Sequence, residues 1–393
     1  MTGAIALIKS HIDGDRMTER LAALVSTPSE NPPGNEAAAA ALVASYCEEI
    51  GLATKTYEGA PGRPSVVARW AGGPGPTIAY CSHIDVVPVG DPKLWIGDPF
   101  DARIEGHTLH GRGACDAKGP VAAALEAVDA LRRSGWEPQG TLELELVADE
   151  EAMGFKGAGY LVEQKLIAPD AAIIGEPTSL RVVRAQRGAC WFTITLKGVA
   201  THGSAPERGV SAIKHAAEVI LRLEETLPDI THPVLGGPSI NVGTISGGAK
   251  VNIVPASCVI EVDRRSIPAE SKEDVLASVA AAVELARERF PELEADIDFS
   301  FYAAPFEVDT EAELVRESAA AVSEATGSRA ELVGFRGASD ARFLAEAGAD
   351  VIVLGPGDIA LAHTAQESVD LREVETAALA YALSFMRLLG GRG

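Results

Sequence analysis

Short apolar, strand-like runs recur along this chain, and each one breaks into Gly or Pro beside a residue that can bind a metal ion. Strand-like runs at 65–70, 77–80, 142–147 and 171–174 are separated by helical stretches such as 121–133. This alternation predicts an α/β fold with a mostly parallel sheet flanked by helices. Ligands of such sheets gather outside the carboxyl ends of the strands, so we expect the residues at the breaks to meet in one crevice.

The residues at these breaks share the chemistry of metal ligands. A pair of divalent ions needs about three protein ligands each, commonly with one shared carboxylate. A lone histidine is more often a hydrogen-bonded residue of a sheet edge, and a lone acidic triplet is more often a solvated turn. The recurrence of the pattern instead predicts a two-metal hydrolase site, formed by His83, Asp85, Asp116, Glu150, Glu151, Glu176 and His363.

Glu150 and Glu151 are adjacent and follow the predicted strand at 142–147. Neighbouring side chains on an extended strand point to opposite faces, so the two carboxylates would diverge. We therefore expect one of them to bind metal and the other to face the attacking water. This pair would supply a ligand and a general base.

The pattern changes after Arg187, where apolar and polar residues alternate with the period of a sheet that has one solvated face. The segments that follow predict the β-α-β-β-α-β order of a ferredoxin-like sandwich. They are a strand at 191–197, a helix at 210–226, strands at 239–245 and 258–264, a helix at 271–290 and a strand at 295–301. Residues 188–301 are thus predicted to form a domain inserted into a catalytic domain of residues 1–187 and 302–393.

Composition narrows the classes of function. The chain has 393 residues, which favours two domains, and a net charge of -22. Nucleic acids and anionic membranes are bound through clustered Lys and Arg, so neither is expected as a partner. The five cysteines contain no C-x-x-C pair, and the N-terminus lacks a basic start before a long apolar run. These features predict a cytoplasmic protein with reduced thiols.

Four local motifs carry a resemblance that covers essentially the whole chain. They are SHIDVVP at 82–88, GRGACDAKG at 111–119, DEE at 149–151 and GEPT at 175–178. Their order, with the inserted sandwich, resembles the metal-dependent superfamily of acetylornithine deacetylase, succinyl-diaminopimelate desuccinylase, aminoacylase and glutamate carboxypeptidase. The resemblance implies a zinc-peptidase-like catalytic domain and an inserted domain that serves as a dimerisation surface or lid.

The same resemblance implies how the metal ligands are shared. His83 and Glu176 would hold one ion, Glu151 and His363 would hold the other, and Asp116 would bridge them. Two divalent ions are implied, with zinc the usual metal and cobalt or manganese as alternatives. The ligand pattern of this sequence is complete.

Three further residues would act around the metals. Glu150 would be the general base that takes a proton from water and passes it to the departing amine. Asp85 would orient His83 through its second ring nitrogen. His202 matches a histidine that reaches from the inserted domain, often from a partner subunit, toward the oxyanion. A homodimer is the expectation that follows, since a two-fold pairing would deliver His202 across subunits.

Asn252 and Arg265 match the positions that bind the free carboxylate of the substrate. A guanidinium suits that role because it donates two parallel hydrogen bonds to a carboxylate. Arg264 is the competing candidate, but strand alternation places it on the opposite face.

The function implied is metal-dependent hydrolysis of the amide bond of an N-acyl amino acid, most like acetylornithine deacetylase. Alternatives of the same chemistry are succinyl-diaminopimelate desuccinylase and a dipeptidase or carboxypeptidase. An inactive, ligand-binding relative would have lost a metal ligand or the base. Glu150, Asp116 and His363 are all present, which argues against that class.

Overall fold

The computed structural model describes residues 2–392, and the chain folds into two compact units. The first unit contains the residues up to Arg184, Val308–Val333 and the residues from Ser339 onward. The second unit contains Ala185–Glu307 and Gly334–Ala338.

Among residues 2–392, eight α-helices lie in the first unit and two in the second. In chain order they are α1 (Thr2–His11), α2 (Gly14–Val25), α3 (Ala37–Ile50), α4 (Lys118–Arg133), α5 (Ala158–Glu163), α6 (Ala212–Glu225), α7 (Lys272–Arg289), α8 (Glu313–Thr326), α9 (Ala341–Glu346) and α10 (Leu371–Leu389).

The strands divide among a large mixed sheet, a four-stranded sheet and a small three-stranded sheet. In chain order they are β1 (Ala53–Glu58), β2 (Pro64–Ala71), β3 (Gly73–His83), β4 (Arg103–Glu105), β5 (Thr108–His110), β6 (Glu137–Val147), β7 (Ala171–Ile174), β8 (Val182–Gln186), β9 (Gly188–Lys197), β10 (Ser239–Gly247), β11 (Ser257–Ser266), β12 (Glu294–Ala303), β13 (Phe306–Glu307), β14 (Leu332–Phe335), β15 (Asp350–Val353), β16 (Ser368–Asp370) and β17 (Gly391–Arg392).

The sheet of the first unit has a parallel centre. Its order is β1-β2-β6-β3-β7-β15-β8, and β6, β3, β7 and β15 run parallel to their neighbours in that group. The pairs β1–β2, β2–β6 and β15–β8 are antiparallel and lie toward the edges. Strand β7 is buried on both faces, as expected for a central parallel strand covered by helices. The predicted fold class is confirmed.

Helix α4 is buried along almost its whole length, because alanines and aliphatic residues surround its axis. Two carboxylates on it, Glu126 and Asp129, are nevertheless buried, and each is paired with an arginine of α2. Arg16 binds Glu126, and Arg20 binds Asp129 at 3.2 Å. These ion pairs satisfy charges that would otherwise be costly to bury.

The second unit is a ferredoxin-like sandwich, as the sequence predicts. Its sheet has the order β10-β11-β9-β12, and every pair is antiparallel. Phe192, Ile194 and Leu196 point from β9 into a core that α6 and α7 cover. Helix α7 begins at a capping box in which the Ser271 and Asp274 side chains each accept the other's main-chain N–H.

No helix within residues 2–392 combines the length and the apolar composition that crossing a bilayer requires.

Candidate metal centre

The parallel centre of the first sheet brings three of the predicted site segments together. Strands β6, β3 and β7 are neighbours, and their carboxyl ends lie at the same edge. His83 is the last residue of β3, Glu150 follows β6 by three residues, and Glu176 follows β7 by two. The ends of these strands therefore bring the three side chains to one place, as the geometry of a parallel sheet requires.

Asp116 and His363 reach the site by another route. Asp116 lies in the loop between β5 and α4, and His363 lies ten residues beyond the end of β15. Neither residue directly follows a strand of the large sheet, so these two side chains reach the cluster from longer loops. His363 has a φ of 63°, which places it in the left-handed region.

The carboxylate of Asp116 lies between the two histidines. Its Oδ1 is 3.0 Å from Nε2 of His83, and its Oδ2 is 3.2 Å from Nε2 of His363. Nε2 of His363 is also 3.1 Å from Glu151, while Nε2 of His83 is 3.7 Å from Glu176. Each oxygen of Asp116 thus faces a separate histidine–glutamate pair.

Two overlapping groups of side chains have ligand atoms close enough to hold an ion. His83, Glu150 and Glu176 form one group, and His83, Asp116 and Glu151 form the other, with all ligand atoms within 4.8 Å of one another in each. Imidazole nitrogen with carboxylate oxygen is a donor set that suits zinc and similar divalent metals. The residues present therefore fit a metal centre.

The electrostatics of the site point the same way. Burial raises the pKa values of Glu150 and Glu176 well above their usual range, and nearby carboxylates raise them further. Burial also raises the pKa of Glu151, against the opposing effect of its hydrogen bond with His363. If all of these buried carboxyl groups were ionised, their negative charge would exceed what two imidazoles can balance, and this is why their pKa values are raised. A bound cation would relieve this excess.

The pKa values of the two histidines are also raised, but for an imidazole this favours the charged form. Hydrogen bonds to Asp116 and then to Glu151 raise the pKa of His363 to about 10. Burial disfavours the charged form of His83, but the hydrogen bond to Asp116 and the charge of Glu176 outweigh it and raise the pKa. Burial likewise opposes ionisation of Asp116, yet both histidines hold its pKa below the usual value.

Asp85 contacts the site in a way that the sequence does not reveal. Nδ1 of His83 lies 2.9 Å from the main-chain oxygen of Asp85, whereas the Asp85 carboxylate is 3.7 Å away. The carbonyl can only accept, so Nδ1 carries the proton and Nε2 is left to bind a metal. The expected orientation of His83 is thus made by the backbone of Asp85.

The Asp85 carboxylate instead holds the turn that carries the two glutamates. Its oxygens accept the main-chain N–H groups of Glu150 at 3.2 Å and Glu151 at 3.1 Å, and the side-chain amide of Asn31 at 2.8 Å. Glu150 and Glu151 begin a short 3-10 turn rather than continuing an extended strand. Their side chains still diverge, Glu150 toward His83 and Glu151 toward His363.

A buried hydrogen-bond network fixes the segment directly before this turn. Arg63 donates to both oxygens of Glu36 and to Oδ1 of Asp149 at 2.8 Å, and Oδ2 of Asp149 accepts the main-chain N–H of Lys156. All three side chains of the network are buried. The contacts of the Asp149 side chain therefore fix the backbone directly before Glu150, and the sequence motif alone does not reveal this role.

Asp340, in a loop whose role the sequence does not define, is buried beside the centre. Burial raises its pKa to about 7, and its Oδ2 has no hydrogen-bond partner among the described residues. The motif Gly337-Ala-Ser-Asp340 resembles a loop that lies near the site in the same superfamily, and the fold shows that Asp340 lies close enough to Glu150 and Glu176 to raise their pKa values.

His202 lies in the second unit, on an exposed loop. Its Nδ1 is 2.7 Å from the Ser204 hydroxyl and accepts the main-chain N–H of Ser204 at 3.2 Å. An accepting Nδ1 leaves the proton on Nε2, so this histidine presents a donor to solvent.

Asn252 is near His202 in the same unit, since Gly203 donates its main-chain N–H to the main-chain oxygen of Asn252 at 2.8 Å. Arg265, on β11, is partly exposed and donates through Nε and Nη2 to Asp263. Arg264 is fully buried and paired with Glu270, so the two arginines do face opposite sides of the strand. Asp263 was not foreseen as the partner that orients Arg265.

Named relatives are similar to this chain over most of its length. Acetylornithine deacetylase of Myxococcus xanthus is 34% identical over 324 residues, covering 80% of this chain and 81% of the relative. Succinyl-diaminopimelate desuccinylase of Marinobacter nauticus is 30% identical over 333 residues, covering 81% and 86%.

Solved structures show the same fold. A Bacillus subtilis protein described as a dinuclear metal-binding peptidase of the M20 family superposes with a TM-score of 0.74 at 17% identity, covering 96% of this chain and 98% of the other. The family model described as peptidase family M20/M25/M40 matches residues 79–387. That match takes in all the residues that build the metal centre. The chain belongs to peptidase family M20/M25/M40 and is a hydrolase of the metallo-amidohydrolase type.

Proposed function

We propose that this protein hydrolyses the amide bond of an N-acyl amino acid with two divalent metal ions. The observation that carries the proposal is the position of Asp116, whose two oxygens face two separate histidines. A carboxylate in that place suits a bridge between two ions. The ions, when bound, would polarise the amide carbonyl and lower the pKa of water.

The ligand roles follow from the pairs around Asp116. We assign His83 and Glu176 to one ion, and Glu151 and His363 to the other. Zinc is our first choice, because imidazole and carboxylate ligands suit it, with cobalt or manganese as alternatives.

Glu150 is the proposed general base. It lies beside His83 and Glu176, and its main-chain N–H is fixed by Asp85. A carboxylate in this position can take a proton from the attacking water and pass it to the departing amine. The pKa of Glu150 is raised in the metal-free site by burial, so a nearby cation would favour the ionised form that a base requires.

The second unit would supply the groups that recognise substrate. We assign the oxyanion of the transition state to His202, whose hydrogen bonds leave Nε2 as a donor. We assign the free carboxylate of the substrate to Arg265 and Asn252. Asp263 holds the Arg265 guanidinium in one orientation, which reduces the entropy lost on binding.

The acyl group is the finer part of the proposal. The identity to an acetylornithine deacetylase, 34%, slightly exceeds that to a succinyl-diaminopimelate desuccinylase, 30%. We therefore propose an acetyl group first, and a succinyl group or a dipeptide as the alternatives.

The five cysteines are all buried and unpaired, which supports a cytoplasmic location that cell fractionation can test.

We also propose that the protein is a homodimer joined through the second unit. Strand β10 is an edge strand, and it packs against α6. Ile213 and Leu221 on α6 and Ile245 on β10 are exposed. An edge strand with exposed apolar side chains is a surface that proteins commonly cover.

Binding of zinc to the metal-free protein should release protons at neutral pH. His363 has a pKa of about 10 without metal and must lose its proton to become a ligand. Affinity should therefore rise with pH between about 6 and 8, because ligand groups that hold protons below their pKa compete with the metal. Isothermal titration in buffers of different ionisation enthalpy measures the release.

The test variant is His363→Ala. The control is His107→Ala, because His107 is an exposed histidine of the same unit. The first should release roughly one proton fewer than wild type, and the second should not differ from it. Affinity that is independent of pH, with no proton released, would contradict the assignment.

Glu150→Gln should lower the turnover number by more than about a thousandfold while two equivalents of metal still bind, because the base acts only in the transition state. The substrates are N-acetylornithine, other N-acetyl amino acids, N-succinyl-diaminopimelate and dipeptides, and the readout is amine release with and without chelator. Glu163→Gln, at an exposed glutamate of the same unit, is the control. Full activity in Glu150→Gln would rule out its role, and wild-type cleavage that survives the chelator would rule out the metal mechanism.

Arg265→Met should act selectively on substrates that carry a free carboxylate. Loss of the charged hydrogen bonds should weaken binding of the transition state of an N-acyl amino acid by about 2 to 4 kcal/mol. This loss is measured as a fall in kcat/KM. The carboxamide of the same substrate should change much less. Arg208→Met, at an exposed arginine of the same unit, should leave both substrates unaffected. An equal loss on acid and amide would show that Arg265 does not bind the carboxylate.

Light scattering should give a mass of twice the 40.9 kDa of the chain. Ile245→Asp places a charge on the proposed surface and should shift the mass to that of one chain, since an unpaired charge is costly to bury. Ile96→Asp, at an exposed isoleucine of the first unit, should leave the dimer intact. A wild-type protein of single-chain mass at micromolar concentration would exclude the dimer.

A further inference from the structure

A buried ion pair lies outside the proposed ligand set and touches three of its loops. Arg112 and Glu367 are 2% and 1% exposed, and Nη1 of Arg112 lies 2.5 Å from Oε2 of Glu367. The pair joins two segments that are 255 residues apart in the chain.

Glu367 holds the loop that carries Asp116. Its Oε1 accepts the main-chain N–H groups of Gly113 at 2.9 Å, Cys115 at 3.2 Å and Asp116 at 3.2 Å. Three donors on one oxygen fix the path of the backbone over the residues that precede α4. The side chain of Asp116 starts from this fixed backbone, so its direction depends on Glu367.

Arg112 contacts the two other loops. Its Nη1 donates to the main-chain oxygen of Thr364 at 3.3 Å, and its Nη2 donates to that of Pro88 at 3.4 Å. Thr364 is next to His363, and Pro88 lies in the loop that follows His83. The guanidinium also lies over the ring of Trp95, with its carbon 5.0 Å from the ring centre.

A contribution to folding stability is a weak explanation for a buried ion pair of this kind. Two charges lose their hydration on burial, and buried ion pairs can often be replaced by apolar residues at little cost. What an apolar pair cannot do is accept three main-chain N–H groups and donate to two carbonyls. The contacts of this pair therefore serve the relative position of the loops.

We propose that Arg112 and Glu367 are positioning residues that hold Asp116 between the two histidines. The pair aligns the loops of His83, Asp116 and His363 so that each oxygen of Asp116 faces one imidazole. This inference rests on the proposed two-metal function, and it concerns residues that would not touch metal or substrate.

The test compares metal binding by Arg112→Lys, Arg112→Met and Glu367→Gln with wild type, using zinc in competition with a chromophoric chelator. A glutamine at position 367 has one oxygen and one NH₂ group. If the oxygen accepts the N–H groups of the loop, the NH₂ faces Arg112, so either the loop contacts or the pairing with Arg112 is lost. Metal affinity should fall by about tenfold to a hundredfold in Arg112→Met and Glu367→Gln, the range seen when groups behind the ligands are changed. Arg112→Lys keeps the charge but not the fork, and it should fall between these variants and wild type.

The control is Arg20→Met, which removes a buried arginine paired with Asp129 away from the ligand loops. It should lower stability without changing metal affinity. The visible absorption of the cobalt-loaded proteins gives a second readout, since loss of stability in a folded protein leaves the ligand geometry unchanged. The spectrum should change in the Arg112 and Glu367 variants and stay as in wild type for Arg20→Met.

Amide hydrogen exchange of the metal-free proteins tests the inference even in variants that bind no metal. Amides of residues 113, 115 and 116 should be protected in wild type and should exchange at least about tenfold faster in Glu367→Ala, because their acceptor is gone. Unprotected amides in wild type, or equal zinc affinity in wild type and all three variants, would overturn the inference alone. A wild-type protein that binds no divalent ion would overturn the proposed metal function together with it.

Discussion

The structure of the first unit depends on placing many carboxylates in one buried region. Parallel strands β6, β3 and β7 end at one edge and bring Glu150, Glu151 and Glu176 close to His83. Burial of carboxylates raises their pKa values, and each raises those of its neighbours. A chain can keep such a cluster only if the surrounding backbone is held firmly, or if a cation balances the charge.

The surrounding backbone is held by a second set of carboxylates, which accept main-chain N–H groups around the centre. Asp85 accepts the N–H groups of Glu150 and Glu151, Glu367 accepts those of the Asp116 loop, and Asp149 accepts that of Lys156. Charged acceptors make stronger hydrogen bonds than neutral ones, which suits them to fixing loops. Acidic residues thus have two roles in this site, and the DEE motif at 149–151 contains both.

Local sequence signals explain why much of this could be predicted. Apolar runs identify β3, β6 and β7, and the rule for parallel sheets then places His83, Glu150 and Glu176 together. The period-2 pattern of β9 likewise predicts the sandwich of the second unit. Arg112 and Glu367 carry no such signal, because their contact joins residues 255 apart. The role of Asp85 was half predicted: that it orients His83 follows from resemblance, but that its backbone does so is set by a bond of 2.9 Å.

The second unit prepares its polar groups by the same means. Ser204 donates twice to Nδ1 of His202 and so fixes the proton on Nε2, while Asp263 takes two donors of Arg265 and leaves others free. In each case a neighbour two residues away satisfies one side of the functional group, and the opposite side is left for a ligand. Groups oriented in advance lose less entropy on binding and need less reorganisation in a transition state. Selection among acyl amino acids would then depend on the shape around these fixed donors more than on the donors themselves.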